Sequence, residues 1–138
     1  MVAGCEYSAV SRKGAERKGV VVHPFDLSKS RQVMPGAPFD AALPIEVAEH
    51  IPAELATAFV EYLADVSDLV IFTAAQPGQG GPGHINEQPR EYWIDKFAGC
   101  GFALDKTATG KVADRLRSSQ AFPYLFGNLS IFRRSTGH

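Results

Sequence analysis

Two stretches limit what this chain can fold into: residues 39–50, FDAALPIEVAEH, and residues 78–93, GQGGPGHINEQPREYW. In the first, an apolar strand runs into an acidic turn and then a helix. In the second, a Gly-rich loop with His, Asn, Glu and Gln follows the apolar run DLVIFTA at 68–74. Polar groups at two consecutive strand ends are what an open α/β sheet needs to bind a ligand. No GxGxxG-type glycine turn precedes them.

The alternation of patterns extends over the whole chain. Residues 2–5 are short, apolar and end a strand. Residues 11–18 are basic and small, a surface connection. Residues 19–23, GVVVH, form a β-branched run bounded by glycine and proline, which predicts a buried strand. Residues 26–38 read as a loop with at most one helical turn. Residues 40–43 continue from Phe39 as a second strand. A helix starts near Pro52, with Leu55, Phe59, Tyr62 and Leu63 on its buried face. Residues 68–74 are apolar throughout, as in a strand covered by helices on both faces. Residues 76–83 are too rich in Gly and Pro for regular structure.

A helix follows from Pro89, since proline suits the first turn. Its stripe is Trp93, Phe97 and Cys100, and Gly101 ends it. A short strand at 102–104, a short helix at 111–118, a closing strand at 124–132 and a tail at 133–138 complete the chain. Strands alternating with helices imply an α/β layered sheet with mainly parallel strands. The last two strands would form an antiparallel edge.

A chain of 138 residues suffices for one domain over residues 1–138 with a modest core. Its net charge of −1 gives nucleic acid or an anionic membrane nothing to hold. Cys5 and Cys100 lie far apart and outside any ligand-spaced motif, as expected of reduced thiols in a cytoplasmic protein. No apolar run approaches the ~20 residues of a membrane span, and the N-terminus lacks the pattern of a secretory signal.

Several of these segments resemble, in order, the class I S-adenosylmethionine-dependent methyltransferases. FDAALPIEVAEH resembles their fourth strand and the following turn. HPFDLS at 23–28 resembles the segment after the third strand. DLVIFTAAQPGQGGPGHINEQPREYW at 68–93 resembles the fifth strand and loop of the small bacterial members. VAGCEY at 2–7 resembles, more weakly, the end of the second strand.

The resemblance implies a Rossmann-like three-layer sandwich, incomplete at the N-terminus, and S-adenosylmethionine as cofactor. The first strand and its glycine-rich turn have no counterpart, so a truncated copy is expected. Such a copy is either a methyltransferase or a non-catalytic remnant that needs a partner chain. In that fold the missing strand lies centrally. Its loss would leave two unpaired edges open to self-association and remove several side chains at ~1.5–3 kcal/mol each.

By the same resemblance, Glu6 would hold the ribose hydroxyls, with its two acceptor oxygens. Asp26 would accept from the adenine amino group, and Leu27 would offer its backbone N–H to the ring. Ile45 and Glu46 would stand beside the cofactor, and His50 at the pocket wall. A solvated acid at Glu6, an Asp-initiated turn at Asp26 and helix-start chemistry at Glu46 explain the same residues without a ligand.

His84 is the candidate catalytic base, because its unperturbed pKa lies nearest neutrality. Asn86, Glu87, Gln88 and Tyr92 are candidate contacts to a small-molecule methyl acceptor. The four polar residues at 84–88 also suit capping of the next helix. A metal is not expected, because His84 and Glu87 supply only two close ligands and His50 would have to arrive from another loop. The glycines at 78–83 resemble a phosphate loop in composition only, since no Gly-Lys-Ser/Thr follows.

Overall fold

The core is built around Phe72. Its ring meets Trp93, Phe97 and Phe132 at centroid distances of 5.3, 5.5 and 6.0 Å, and Phe97 stacks on Phe132 at 4.0 Å. The computed structural model describes residues 1–29 and 32–136. The order is β1 (Ala3–Glu6), α1 (Ala9–Glu16), β2 (Val21–Pro24), 3-10 turns at Ala48–His50 and Ala53–Leu55, α2 (Ala56–Val66), β3 (Leu69–Phe72), α3 (Arg90–Gly99), β4 (Phe102–Leu104), α4 (Lys106–Ser118), α5 (Pro123–Asn128) and β5 (Ser130–Arg134).

β1 and β2 pair in parallel. A separate sheet has the order β3-β5-β4, with β5 antiparallel to both neighbours. Residues 39–45 lie parallel along the other side of β3, through the bridges Phe39↔Ser67, Ala42↔Val70 and Ile45↔Thr73. They form an extended segment rather than the regular strand expected at 40–43. Pro44 contributes to the irregularity: its carbonyl accepts from Thr73 N–H, but it has no N–H to give. The mixed sheet, parallel pairings first and an antiparallel end, is the α/β architecture implied by the sequence.

Three elements differ from expectation. Residues 11–18 belong largely to helix α1, started by Ser8, whose side chain accepts from Ser11 N–H. No residue of α1 is buried, so the helix is still a surface connection. β2 is not a buried strand: Val21 is exposed and Val22 and His23 are half-buried. The strand expected at 124–132 is helix α5 followed by β5. Pro123 in the first turn favours the helix, and the strand begins only at Ser130.

Elsewhere the elements stand near their predicted places. The predicted α2 face is buried at Phe59, Tyr62 and Leu63. α4 begins earlier than 111, where the Asp105 carboxylate accepts from Ala108 N–H at 2.8 Å. Part of the predicted loop (residues 30 and 31) and the end of the predicted tail (137 and 138) lie outside the described residues.

Between β1 and residues 39–45 runs an open groove. Its cavity of about 1100 Å³ is lined by β1, by residues 39–44 and by Phe59, Tyr62, Leu63 and Val66 of α2. Ala42 donates to Leu69 and accepts from Ile71, both of the β3 segment. By strand alternation the backbone groups of Ala41 and Leu43 aim at the groove. Leu43 is 62% exposed there. The groove therefore separates two sheets whose facing edges have no backbone partner among the described residues.

Candidate functional site

The strand ends beside the groove carry most of the singled-out side chains. Glu46 has a left-handed backbone (φ 51°), which a non-glycine residue adopts only when its surroundings hold it. Here its N–H donates both to Thr73 O at 3.2 Å and to Thr73 Oγ1 at 2.9 Å. Its carboxylate accepts from Gln79 Nε2 at 3.2 Å and from Asn128 Nδ2 at 3.1 Å. Asn128 also donates to Gln79 Oε1 at 2.8 Å. Glu46 thus ties the glycine loop to the end of α5.

The loop after β3 is organised by Glu87. Its carboxylate accepts from Gly78 N–H at 2.9 Å, from Gly80 N–H at 2.7 Å and from His84 Nδ1 at 2.7 Å. His84 first, then these backbone donors, holds the Glu87 carboxyl below the usual carboxylate range. Gly78 and Gly80 have positive φ (87° and 69°), so glycine is needed for the turn that points both N–H groups inward.

In the tautomer that donates Nδ1–H to the Glu87 carboxylate, His84 keeps a lone pair on Nε2. That nitrogen lies 3.9 Å from Glu49 Oε1. Gly81 packs so closely on the ring that an added Cβ would stand 2.5 Å from Nε2.

His50 arrives from the other strand end. Its Nδ1 lies 3.0 Å from Gly83 O and must donate, since a carbonyl only accepts. Its ring meets that of His84 edge-on at 5.0 Å. Glu49, its neighbour, is 0% exposed, and neither carboxylate oxygen has a hydrogen-bond partner among the described residues. Burial pushes its carboxyl up, and nearby Glu46 adds to the effect. The Glu49 carbonyl accepts from Ile85 and Asn86 N–H, fastening the two loops together.

The remaining candidates are more dispersed. Glu6, Asp26, Leu27 and His50 line the groove, whereas Ile45, Glu46 and His84 do not. His50 joins the two groups. Glu6 accepts from Ser8 N–H at 2.8 Å. Asp26 accepts from Ser28 N–H at 3.0 Å and from Ser28 Oγ at 2.6 Å, which makes it the head of an Asx turn and holds its carboxyl low. Ile45 is 38% exposed, and Leu27 packs against the core. Asn86 is buried and accepts from Gln88 Nε2 at 2.8 Å. Tyr92, on α3, meets Trp93 and lies under Lys96. No contact among the described residues brings Tyr92 to His84.

Glu49 was not among the residues that sequence reasoning singled out. Its adjacency to His50 in EVAEH was the available signal, but whether its side chain turns inward depends on the 3-10 turn at Ala48–His50. Gln79 and Asn128 were also missed, because 49 residues separate the two ends of their hydrogen bond.

No family model matches the sequence, and no curated protein matches it. Solved structures do. Magnesium protoporphyrin IX methyltransferase from Synechocystis PCC 6803, with bound SAM, is similar at TM-score 0.63 and 19% identity, over 98% of this chain and 60% of that one. The [4+2]-cyclase SpnF is similar at TM-score 0.60 and 14% identity, over 99% and 68%. An O-methyltransferase family protein from Burkholderia thailandensis is similar at TM-score 0.55 and 13% identity, over 93% and 41%. The chain thus spans about three-fifths of the length of the first of these. The sequence resemblance and these structural likenesses agree on one fold, that of the S-adenosylmethionine-dependent methyltransferases.

Proposed function

We propose that this chain carries the cofactor and acceptor face of an S-adenosylmethionine-dependent methyltransferase acting on an oxygen or nitrogen of a small molecule. The observation that carries this reading is the position of His50. It lines the groove flanked by Glu6, Asp26 and Leu27, and it also touches His84. A ligand in the groove would therefore lie near His84, an imidazole that a carboxylate orients.

The residues present suit the nucleoside end of the cofactor. Glu6 and Asp26 stand at the carboxyl ends of parallel strands, where such sheets bind ligands. Apolar groove walls suit an adenine ring. When bound, S-adenosylmethionine supplies an electrophilic methyl group. This chain's residues position and deprotonate: Glu87 holds His84 Nδ1, so that Nε2 can take a proton from the acceptor. Asn86, Gln88 and Glu46 stiffen the loop around it. Most of the rate acceleration would come from alignment of the two reactants. Because the cyclase SpnF shares the fold, the fold alone does not fix the reaction.

With a net charge of −1 the acceptor is a small molecule rather than nucleic acid. Among the described residues no helix is long and apolar enough to cross a membrane; a cytoplasmic setting is part of the proposal. The open groove supports a second reading, a methyltransferase-like piece completed by another chain, since two facing edges there lack backbone partners among the described residues. Self-association through those edges belongs to that reading.

Titration calorimetry with S-adenosylhomocysteine tests the first reading. We expect micromolar binding, weakened at least tenfold in Asp26→Ala and Glu6→Gln. A folded chain, shown by circular dichroism, that gives no heat would overturn it.

A further inference from the structure

We propose that Glu49, His50 and His84 form a binding site for a divalent transition-metal ion beside the groove that His50 lines. One donor atom from each lies within 4.8 Å of the others. The inference deepens the methyltransferase reading, which supplies the acceptor that the ion would hold.

Three independent features point to a cation. Glu49 is fully buried, yet both its carboxylate oxygens lack a hydrogen-bond partner among the described residues. His84 Nε2 at 3.9 Å is too far to serve as one. A buried carboxyl group with no hydrogen-bond partner, facing an imidazole nitrogen, leaves two donor groups that a cation can bridge.

Both histidines also spend Nδ1 on an orienting acceptor: the Glu87 carboxylate for His84 and the Gly83 carbonyl for His50. In the neutral rings, Nε2 is then the free lone pair on each. Histidine ligands in metal sites are held in this way, with the second nitrogen donating to a carboxylate or carbonyl. Finally, the glycines at 81 and 83 leave no bulk against the rings. A Cβ at either would fall 2.5 Å from His84 Nε2 or 3.3 Å from His50 Nδ1.

Two imidazoles and one carboxylate suit Zn²⁺ and its first-row neighbours better than Mg²⁺ or Ca²⁺, which prefer all-oxygen shells. Tetrahedral bonds near ~2.1 Å place ligand atoms about 3.4 Å apart, so the donors would draw together on binding. Exposed His50 has room to make that movement. Three protein ligands leave a position open, as in catalytic zinc sites. His50 also lines the groove, so an acceptor bound there would lie near the ion and its oxygen or nitrogen could complete the shell. His84 would then act through the ion and not as a free base.

The test is titration of the tag-free chain with Co²⁺, followed by visible absorption and by displacement with Zn²⁺. We expect one saturable site. Affinity should fall at least tenfold in Glu49→Gln and in His84→Gln. His50→Gln alters an exposed side chain and keeps the test open if either of the other variants fails to fold. Circular dichroism checks each protein. Absence of saturable binding by the folded chain, or binding unchanged in folded His50→Gln, overturns the site. S-adenosylhomocysteine calorimetry on the same samples separates the two readings. Nucleoside binding without metal binding overturns the metal site alone; metal binding without nucleoside binding supports the site and overturns the methyltransferase reading.

Discussion

Glu49 and Glu87 titrate in opposite directions, and each gives a pH prediction. The Glu87 carboxyl is held low by His84 and by two backbone N–H groups. A depressed carboxyl contributes stability that is present above the unfolded value, about 4.3, and is lost as pH falls through the lower folded value. Glu87→Gln should therefore flatten the acid limb of a plot of Tm against pH below about 4. Asp26 and Asp105, also held low, will keep part of that limb in the variant.

Glu49 has the reverse sign, because burial raises its carboxyl. The folded state favours the neutral acid, so its stability declines as pH rises from the unfolded value toward the raised one. Glu49→Gln removes that charge while keeping the side chain's shape. In chelator at neutral pH we expect the variant to be more stable by about 1–3 kcal/mol, the cost of an unsatisfied buried group. The difference should shrink as pH falls through the usual carboxylate range. Urea unfolding at several pH values checks both signs.

At the scale of elements, the glycine loop between β3 and α3 was legible as a ligand loop, but its internal wiring was not. Glycine spacing and the four polar residues at 84–88 marked it. That Glu87 would turn back to collect Gly78, Gly80 and His84 depends on positive φ angles that composition does not specify. Gly81→Ala should displace the His84 ring, because the added Cβ would stand 2.5 Å from Nε2. Imidazole nitrogen shifts in long-range nitrogen–proton spectra would report the displacement. An unmoved ring would show that the packing at Gly81 does not set its position.

The strands illustrate a different limit. DLVIFTA could be recognised because a continuous apolar run suits a covered strand. The run PYLFGNLSIF could not be divided by pattern, because short apolar stretches suit helix and strand equally. Pro123 was the usable clue. The buried stripe of α3 was easier to read, since Trp93 and Phe97 sit at helical spacing and both are buried. Phe97→Ala, which removes the ring stacked on Phe132, should cost about 3–5 kcal/mol, measured by urea unfolding.

For the whole molecule, the consequential feature is the groove between β1 and residues 39–45. The sequence implied an interrupted sheet, and the structure places the two sheets apart with a cavity of about 1100 Å³ between them. The interruption was legible only through the family resemblance, in which the strand expected between the segments at 2–7 and 39–50 has no counterpart. The position of His50 beside His84 was not, because contact between residues 34 apart depends on how two loops meet. Whether the groove can serve a nucleoside depends on Glu6, Asp26 and Leu27 remaining along its lining. Nuclear magnetic resonance titration of the labelled chain with S-adenosylhomocysteine tests this most directly. Saturable shifts concentrated on the amides of Glu6, Asp26, Leu27 and His50, and on the His84 ring, are the predicted result. A folded chain whose spectrum does not change, or changes only on α4, no residue of which lines the groove, would contradict it.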